Sequence, residues 1–397
     1  MLNDLPKDSS ITPKVEQEVN GELLKMTVLA AIGTIADVMP LNGDNRRIVK
    51  KGLSLLQQPG VSGLTGLKAL IEEAEMYSRT EYDISFKIAP MLNAPGRLFD
   101  DGAEQSFTVL AADLLYPGDY ALVRSMAHSL IIVNEDRKDA VAKAMDEAVE
   151  YIANECLYGT CPLCVCLQDA NEGVVGIVAG RLAEEMKTPS FVFTSSETPG
   201  VLKGSGRSFG GINLKKILDS AADYLVNFGG HESAAGVTVK SENFYDMVNA
   251  MTQSILGTET ESQDTLYYDL QIAPDEVPVV NAKMRKYAPF GEGNPSPIFR
   301  VDEVGLVPRY GNRYKTMGKD GVHLKLFSNG YSLIRFGGTE DYRKQGFPSR
   351  VNVVGTISEN KFRNITEVQF EVIDMKSMAA DKGGSKLLEA LKANGTI

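Results

Sequence analysis

The sequence predicts an α/β protein of several domains, and three observations carry that prediction. The chain has 397 residues, more than one ordinary hydrophobic core organises. Residues 162 to 258 alternate strand and helix signals in the manner of an α/β unit. From Asp264 onward the pattern changes to short alternating runs joined by Gly, Asn and charged turns, which suggests a small β-barrel.

Taken in order, residues 22 to 115 alternate apolar helical segments with short motifs. Within them LAAIGTIADVMPLNGDNRRIV (29 to 49) reads as a buried strand that ends on a carboxylate, Asp37, and a polar turn. Such an aspartate either caps a turn or helix, or serves as a metal ligand or catalytic acid, because strand ends in α/β sheets collect such groups. From Tyr120 to Glu155 the positions Leu122, Met126, Leu130, Val133, Val141, Met145, Ala148 and Ile152 recur at steps of mostly three or four. They mark one stripe along a very long helix, interrupted by Arg137, that bridges two domains or breaks into two shorter helices. In the α/β unit, strands are expected at Leu163 to Gln168, at PSFVFT and at AAGVTV, with a helix carrying Val174, Ile177, Val178 and Leu182. The barrel strands are expected at TLYYDLQI, IFRVDEV, HLKLFS, YSLIRFG, VNVVGTI and EVQFEVI, followed by a loosely attached tail.

Composition narrows the function. No segment approaches the uninterrupted apolar length needed to span a bilayer, and the first 20 residues lack an apolar core behind a basic start. The expected location is the cytoplasm, with no membrane partner. A net charge of −11 argues against a general nucleic-acid coat but leaves room for a local groove. Lys203, Arg207, Lys215 and Lys216 fall in a stretch without acids, and Lys283, Arg285, Lys286, Arg300, Arg309, Arg313 and Lys315 form a second basic run. Four cysteines lie between Cys156 and Cys166; buried free thiols account for them more simply than zinc, since no His lies nearby.

Two glycine-rich stretches bear on chemistry. GSGRS (204 to 208) reads either as a strand-to-loop turn or as a backbone cradle for an anion, with Arg207 offering a planar fork to phosphate oxygens. FGGHESAAG (228 to 236) presents His231 on tightly turned backbone, either as a capping or core imidazole or as a group that a bulky ligand reaches.

Together with GTIADVMPLNGDNRRIV (33 to 49), KIAPMLNAPGRL (87 to 98), LIIVNEDRK (130 to 138), NEGVVGIVAGRLAEE (171 to 185) and PFGEGNPSPIF (289 to 299), these stretches make an ordered set. That set resembles the RecJ family of single-stranded-DNA-specific exonucleases, within the DHH phosphoesterase superfamily. The resemblance implies a remnant of a DHH-type domain over 1–115, a connecting helix over 116–158, a DHHA1 domain over 159–260, an OB-like nucleic-acid-binding domain over 261–376 and a tail over 377–397. It implies 5′–3′ exonuclease activity on single-stranded DNA in repair and recombination, with manganese or magnesium as cofactor and Asp37 as one metal ligand. It also implies phosphate contacts by Arg207, Ser208, Gly229, Gly230 and His231, with Asn93, Arg97 and Asn171 beside the cleft.

Two departures qualify that expectation. The family's upstream aspartate motifs and its Asp-His-His triplet have no counterpart here: the histidines are His128, His231 and His323, and Asp4 and Asp8 are the only aspartates in the first 28 residues. One carboxylate cannot hold two divalent ions, each of which takes about six ligands. The family also commonly carries a His where this chain has Asn171, which cannot carry a proton. Two readings follow: the C-terminal part of an exonuclease whose metal-binding half is made as a separate polypeptide or is missing from the gene model, or a single-stranded-DNA-binding module that hydrolyses nothing.

Overall fold

The computed structural model describes residues 13–58, 64–256, 265–309, 311–318, 320–362 and 365–378. Up to residue 154 every described element is helical: α1 (Pro13–Ala36), α2 (Gly43–Leu56), α3 (Thr65–Glu73), α4 (Glu81–Asp83), α5 (Ala89–Asn93), α6 (Pro95–Leu98), α7 (Gly102–Leu110), α8 (Ala112–Leu115) and α9 (Tyr120–Asn154). The stretch before Asp37 is therefore the end of a helix and not a strand. An apolar run of this length carries no period that separates a buried strand from a buried helix. The α/β segment follows as β1 (Leu163–Leu167), α10 (Glu172–Met186), β2 (Ser190–Ser195), β3 (Val201–Arg207), α11 (Leu214–Ser220), β4 (Leu225–Gly230), β5 (Ala234–Lys240) and α12 (Phe244–Ile255). The last elements are β6 (Leu270–Ile272), α13 (Val277–Met284), β7 (Phe299–Gly305), β8 (Tyr314–Met317), β9 (His323–Phe327), β10 (Ser332–Arg335), α14 (Thr339–Lys344), β11 (Arg350–Phe362) and β12 (Ile365–Ser377).

Two compact units result. One gathers the described residues of Met1–Pro59, Tyr77–Ile84 and Leu266–Ile397; the other those of Gly60–Met76 and Ser85–Thr265. The second unit is built on a five-stranded sheet of order β1-β2-β3-β5-β4, in which β1 and β2 run parallel and the other pairings are antiparallel. Alternation along β1 sends Leu163, Val165 and Leu167 to one face, against Val141, Ala144, Ala148 and Ile152 of α9 and the apolar side of α10. Cys164 points to the other face, with Phe191 and Phe193, against α11 and α12. All four cysteines are free, but only Cys164 is the buried thiol that the sequence suggests, and burial pushes it far above its usual range; Cys161 and Cys166 are half-buried and Cys156 is exposed.

Helix α9 is unbroken over 35 residues, about 52 Å at 1.5 Å per residue. Its buried stripe is Val123, Ala127, Leu130, Asn134, Val141, Ala144, Ala148 and Ile152. The first half of that stripe lies one residue away from the expected Leu122, Met126 and Val133, because small residues there admit α3 and α7. The helix lies wholly within the second unit.

In the first unit α1 and α2 form a hairpin in which Gly52 meets Ala31 so closely that a Cβ would lie 2.3 Å from its methyl. Val28, Ala31, Ile32 and Ile35 are buried, whereas Val19, Leu23, Leu24 and Met26 are exposed. Contrary to the sequence expectation, Glu18–Ala36 is long and apolar enough to cross a bilayer by length and composition. The β-rich part is a seven-stranded mixed sheet of order β6-β7-β11-β12-β10-β9-β8, whose core includes Val301, Leu324, Leu333, Val353 and Phe370. Strand β8 and helices α13 and α14 lack a strong apolar period and escaped the sequence reading.

The loop before β7 is anchored within the same unit. Arg46 of α2 donates to the carbonyls of Tyr287 (2.5 Å), Pro289 (3.1 Å) and Ala288 (3.4 Å). The Phe290 N–H donates to Glu81 at 2.8 Å, and the Leu41 N–H to the Glu292 carbonyl at 2.6 Å. Gly291 and Gly293 pack against Leu41 and Pro40, and Gly293, at φ +71°, holds a backbone conformation that side chains rarely adopt. PFGEGNP is thus a structural clasp for the turn that follows α1. Arg46→Ala, which leaves these carbonyls without their charged donor, is expected to lower stability by about 2 kcal/mol in urea unfolding; a change within error would mean that the loop is held without the arginine.

Candidate functional site

Strand β3 organises the site. Its alternation sends Leu202 into the core and Lys203, Ser205 and Arg207 to the opposite face, toward α10. GSGRS is not a loop cradle: Gly204 and Gly206 sit in mid-strand, paired with β2 on one side and β5 on the other. They are glycines because a Cβ would lie 2.4 Å from the ring of Phe193 or of Phe191. The polar groups that β3 leaves free of the sheet ladder are therefore side chains and not backbone amides.

Arg207 is half-buried. Its guanidinium donates to Ser205 Oγ (2.9 Å) and the Gly206 carbonyl (2.8 Å) and lies beside Gly176 of α10, while its aliphatic stem passes Gly180. Arg97, at the end of α6, donates to the Gly173 carbonyl at 3.1 Å in the first turn of α10. That approach requires glycine, since a Cβ on residue 173 would lie 1.9 Å from the Arg97 carbonyl oxygen. Arg137 of α9, half-buried, donates through Nε to Oδ1 of the buried Asn134 at 3.2 Å. Burial first, and then Arg97, pushes the Arg207 guanidinium below its ordinary range. For Arg137 the cause is again burial, then Arg97 and Arg181, only partly opposed by Glu135. Among the described residues none of Arg97, Arg137, Arg181 and Arg207 forms an ion pair.

The other cations differ. Lys203 bonds Glu172 at 2.9 Å, and Lys215 is bridged to Asp219, so two of the four cations in the acid-free stretch of sequence are neutralised in space. In the first unit Arg285, Arg300 and Arg309 pair with Glu359, Asp302 and Glu367. Lys283, Lys286, Arg313 and Lys315 form no ion pair among the described residues, and Tyr267, Tyr287 and Phe336 are exposed.

His231 is exposed in the turn between β4 and β5. Its backbone N–H bonds the Ala234 carbonyl at 2.9 Å, and its Nδ1 accepts from the Ser233 N–H at 3.3 Å, leaving Nε2 as the donor of the neutral ring. The Ser208 N–H donates to the Ser233 carbonyl at 3.0 Å, which fixes the end of β3 beside that turn. The Ser208 hydroxyl is spent on the Ile212 carbonyl. Gly230 has φ +143° and abuts Ala234 and Ala235, where a side chain would be strained and crowded. Gly229 stands opposite Gly236 over open space. Beyond α10 the sheet face is uncovered, and Lys203, Ser205, Asn227, Gly229, Gly236 and Thr238 line a groove of about 390 Å³.

Asn171 caps α10: Oδ1 accepts from the Gly173 N–H at 2.7 Å and Nδ2 donates to the Leu98 carbonyl at 3.4 Å. Asn93 is exposed at the end of α5. Asp37 belongs to the first unit, one residue past α1, where its N–H closes the last helical turn on the Gly33 carbonyl. The next residue, Val38, has φ +53°, a left-handed conformation that β-branched residues rarely adopt. Asp37 is exposed, and no group of three or more His, Cys, Asp or Glu that could hold a metal occurs among the described residues. The side chains present do not fit a two-metal centre by themselves.

The sequence reading missed Arg181 and assigned Arg137 no role, although a charge interrupting the apolar stripe of α9 was the available signal. What α6, α9, α10 and β3 converge on is a set of unpaired guanidiniums beside a glycine-lined sheet face, able to hold a multiply charged anion. The fold and the charge set define an α/β protein with a cationic sheet face. Residues 159–256 match the DHHA1 domain family and residues 268–374 the RecJ OB domain family. The single-stranded-DNA-specific exonuclease RecJ of Bacillus subtilis is 33% identical over 366 residues, covering 90% of this chain and 44% of the relative. That of Thermus thermophilus is 29% identical over 365 residues, covering 91% and 49%. The crystal structure of the Thermus thermophilus RecJ in complex with Mg2+ superposes with a TM-score of 0.70 at 27% identity, covering 90% of this chain and 53% of that one. The same protein in complex with Mn2+ gives 0.69 at 28% identity, covering 90% and 50%. The chain belongs to the RecJ family and spans about half the length of the curated relatives it matches.

The packing role of the β3 glycines is directly testable. Gly204→Ala is expected to cost about 1–3 kcal/mol by overpacking Phe193, whereas Gly236→Ala, over open space, stays within about 0.5 kcal/mol in chemical denaturation. Equal effects would return GSGRS to a loop-like role.

Proposed function

We propose that this chain is the strand-holding part of a RecJ-type 5′–3′ exonuclease acting on single-stranded DNA in the cytoplasm during repair and recombination. The observation that carries the reading is the set of arginines without ion pairs at β3, α6, α9 and α10. Arg207 and His231 grip the phosphates of the terminal nucleotides, supported by Arg97 and the glycine turn at Gly229 and Gly230. Asn93 and Asn171 stand beside that grip as polar neighbours of Arg97. The domain division proposed is 1–115, 116–158, 159–260, 261–376 and 377–397, with the OB-like part tracking the strand by its unpaired cations and exposed aromatic rings.

Hydrolysis in this reading requires manganese or magnesium, the ions in the solved RecJ complexes. Asp37 is one hard oxygen ligand, and the remaining ligands come from a separate polypeptide corresponding to the half of the relatives that this chain does not match. The exposed Val19, Leu23, Leu24 and Met26 of α1 offer such a partner an apolar face. The second reading, a module that binds single-stranded DNA without hydrolysis, is favoured by the lack of a metal-ligand cluster among the described residues.

With a 5′-phosphorylated, 3′-labelled single strand and manganese, the purified chain is expected to bind without shortening the strand. Shortening that Asp37→Ala abolishes would instead make the chain a complete nuclease. Arg207→Ala is expected to weaken binding on all sequences and to flatten the dependence of log Kd on log salt by about 0.7, the share of one phosphate on a single strand; an unchanged slope removes Arg207 from the interface. His231→Ala is expected to weaken binding of a 5′-phosphorylated end more than of an internal strand, and equal losses would contradict its terminal role.

A further inference from the structure

The strand-holding reading counts Arg137 and Arg181 in its charge set but gives a phosphate contact only to Arg207, Arg97 and His231, and it leaves Asn134 without a task. Asn134 occupies a core position of the α9 stripe, where a polar side chain costs free energy unless it is bonded. Its Oδ1 holds the Nε of Arg137, one turn on, and the two Nη groups of that guanidinium have no partner among the described residues. Helices α6, α9 and α10 pack on one another, so Arg137 stands within electrostatic reach of both Arg97 and Arg181. A half-buried guanidinium beside two others, without an ion pair and opposed only in part by Glu135, is unfavourable in the free protein. A bound anion reverses that sign, because it replaces mutual repulsion with charge-assisted hydrogen bonds.

We propose that Arg137, oriented by Asn134 and flanked by Arg97 and Arg181, forms a second phosphate site, which takes the internucleotide phosphate next to the one held by Arg207. The proposal rests on the strand-holding reading and specifies its ligand: two successive phosphates of one single strand, with Arg97 a neighbour of both arginines that grip them. Asn134 and Arg181 are positioning residues in this arrangement. Asn134 fixes the rotamer of Arg137, and Arg181 keeps the site electropositive from the exposed edge of α10.

The test compares the full chain with its Arg137→Met, Arg137→Lys and Arg207→Ala variants on two probes. One is a 5′-phosphorylated oligothymidylate. The other is the same oligomer with a neutral methylphosphonate at the linkage adjoining the 5′-terminal nucleotide. Arg137→Met is expected to lose affinity about tenfold for the natural oligomer, the worth of one charge-assisted hydrogen bond, and to bind the methylphosphonate oligomer as the parent chain does. Arg137→Lys is expected to keep part of the affinity, and Arg207→Ala to lose affinity for both probes. In the absence of DNA, Arg137→Met should leave the thermal midpoint unchanged or raise it, since a repulsive charge has gone. Equal losses on the two probes, no loss, or a lowered midpoint would each overturn the second site. If the parent chain binds neither probe, the strand-holding reading fails as well; if Arg207→Ala weakens binding and Arg137→Met does not, only the second site fails.

Discussion

Three glycines along one edge of α10, Gly173, Gly176 and Gly180, control how closely the second unit can draw its cations together. The first admits the backbone of Arg97, and the other two make room for the side chain of Arg207. A methyl at residue 173 would force α6 away and take Arg97 with it. One at residue 176 would press on the Ser205 hydroxyl and the Arg207 guanidinium, each about 3 Å from its position. Because α9 packs on both α6 and α10, the same close approach sets where Arg137 stands. The unit thereby holds positive charge near its core side without ion pairs among the described residues, and Glu135 opposes only part of it. Such a charge set is stable only because the surrounding sheet and helices bury enough apolar surface to tolerate it.

The first unit solves a different problem. Its α1–α2 turn holds an exposed carboxylate next to a residue in left-handed backbone, and that geometry needs external support. Support comes from the PFGEGNP loop, which receives Arg46 on three carbonyls and packs Gly291 and Gly293 under Leu41 and Pro40. The motif thus acts as scaffolding for the neighbourhood of Asp37, and its glycines reflect packing and not ligand approach. The same holds for Gly204 and Gly206, whose neighbours are phenylalanine rings. In both places a glycine-rich string serves the fold, while charged side chains nearby remain available for chemistry.

Much of this architecture is legible in the sequence. The α/β alternation locates β1, β2, β5 and α10, because strands buried on both faces read as short apolar runs and α10 has a clear helical stripe. The long helix is legible from its period alone. What sequence cannot carry is spatial pairing. The run from Lys203 to Lys216 contains no acid, yet Lys203 meets Glu172 across 31 positions and Lys215 pairs with Asp219, so Arg207 and Lys216 are the cations of the run left without an ion pair among the described residues. Likewise the apolar run before Asp37 has the composition of a buried strand but folds as a helix against α2, a choice made by tertiary packing such as Gly52 against Ala31. Arg137 is visible as a flaw in a stripe, and its significance depends on Arg97, 40 positions away in sequence and brought close by helix packing.

If the unpaired arginines of the second unit are a seat for the phosphates of a single DNA strand, the most direct measurement is a crystal structure of the full chain grown with a 5′-phosphorylated oligothymidylate. One phosphate is expected within hydrogen-bond distance of Arg207 and the next within reach of Arg137, with the strand passing His231. An oligomer bound elsewhere, with all four guanidiniums facing only water, would contradict that seat.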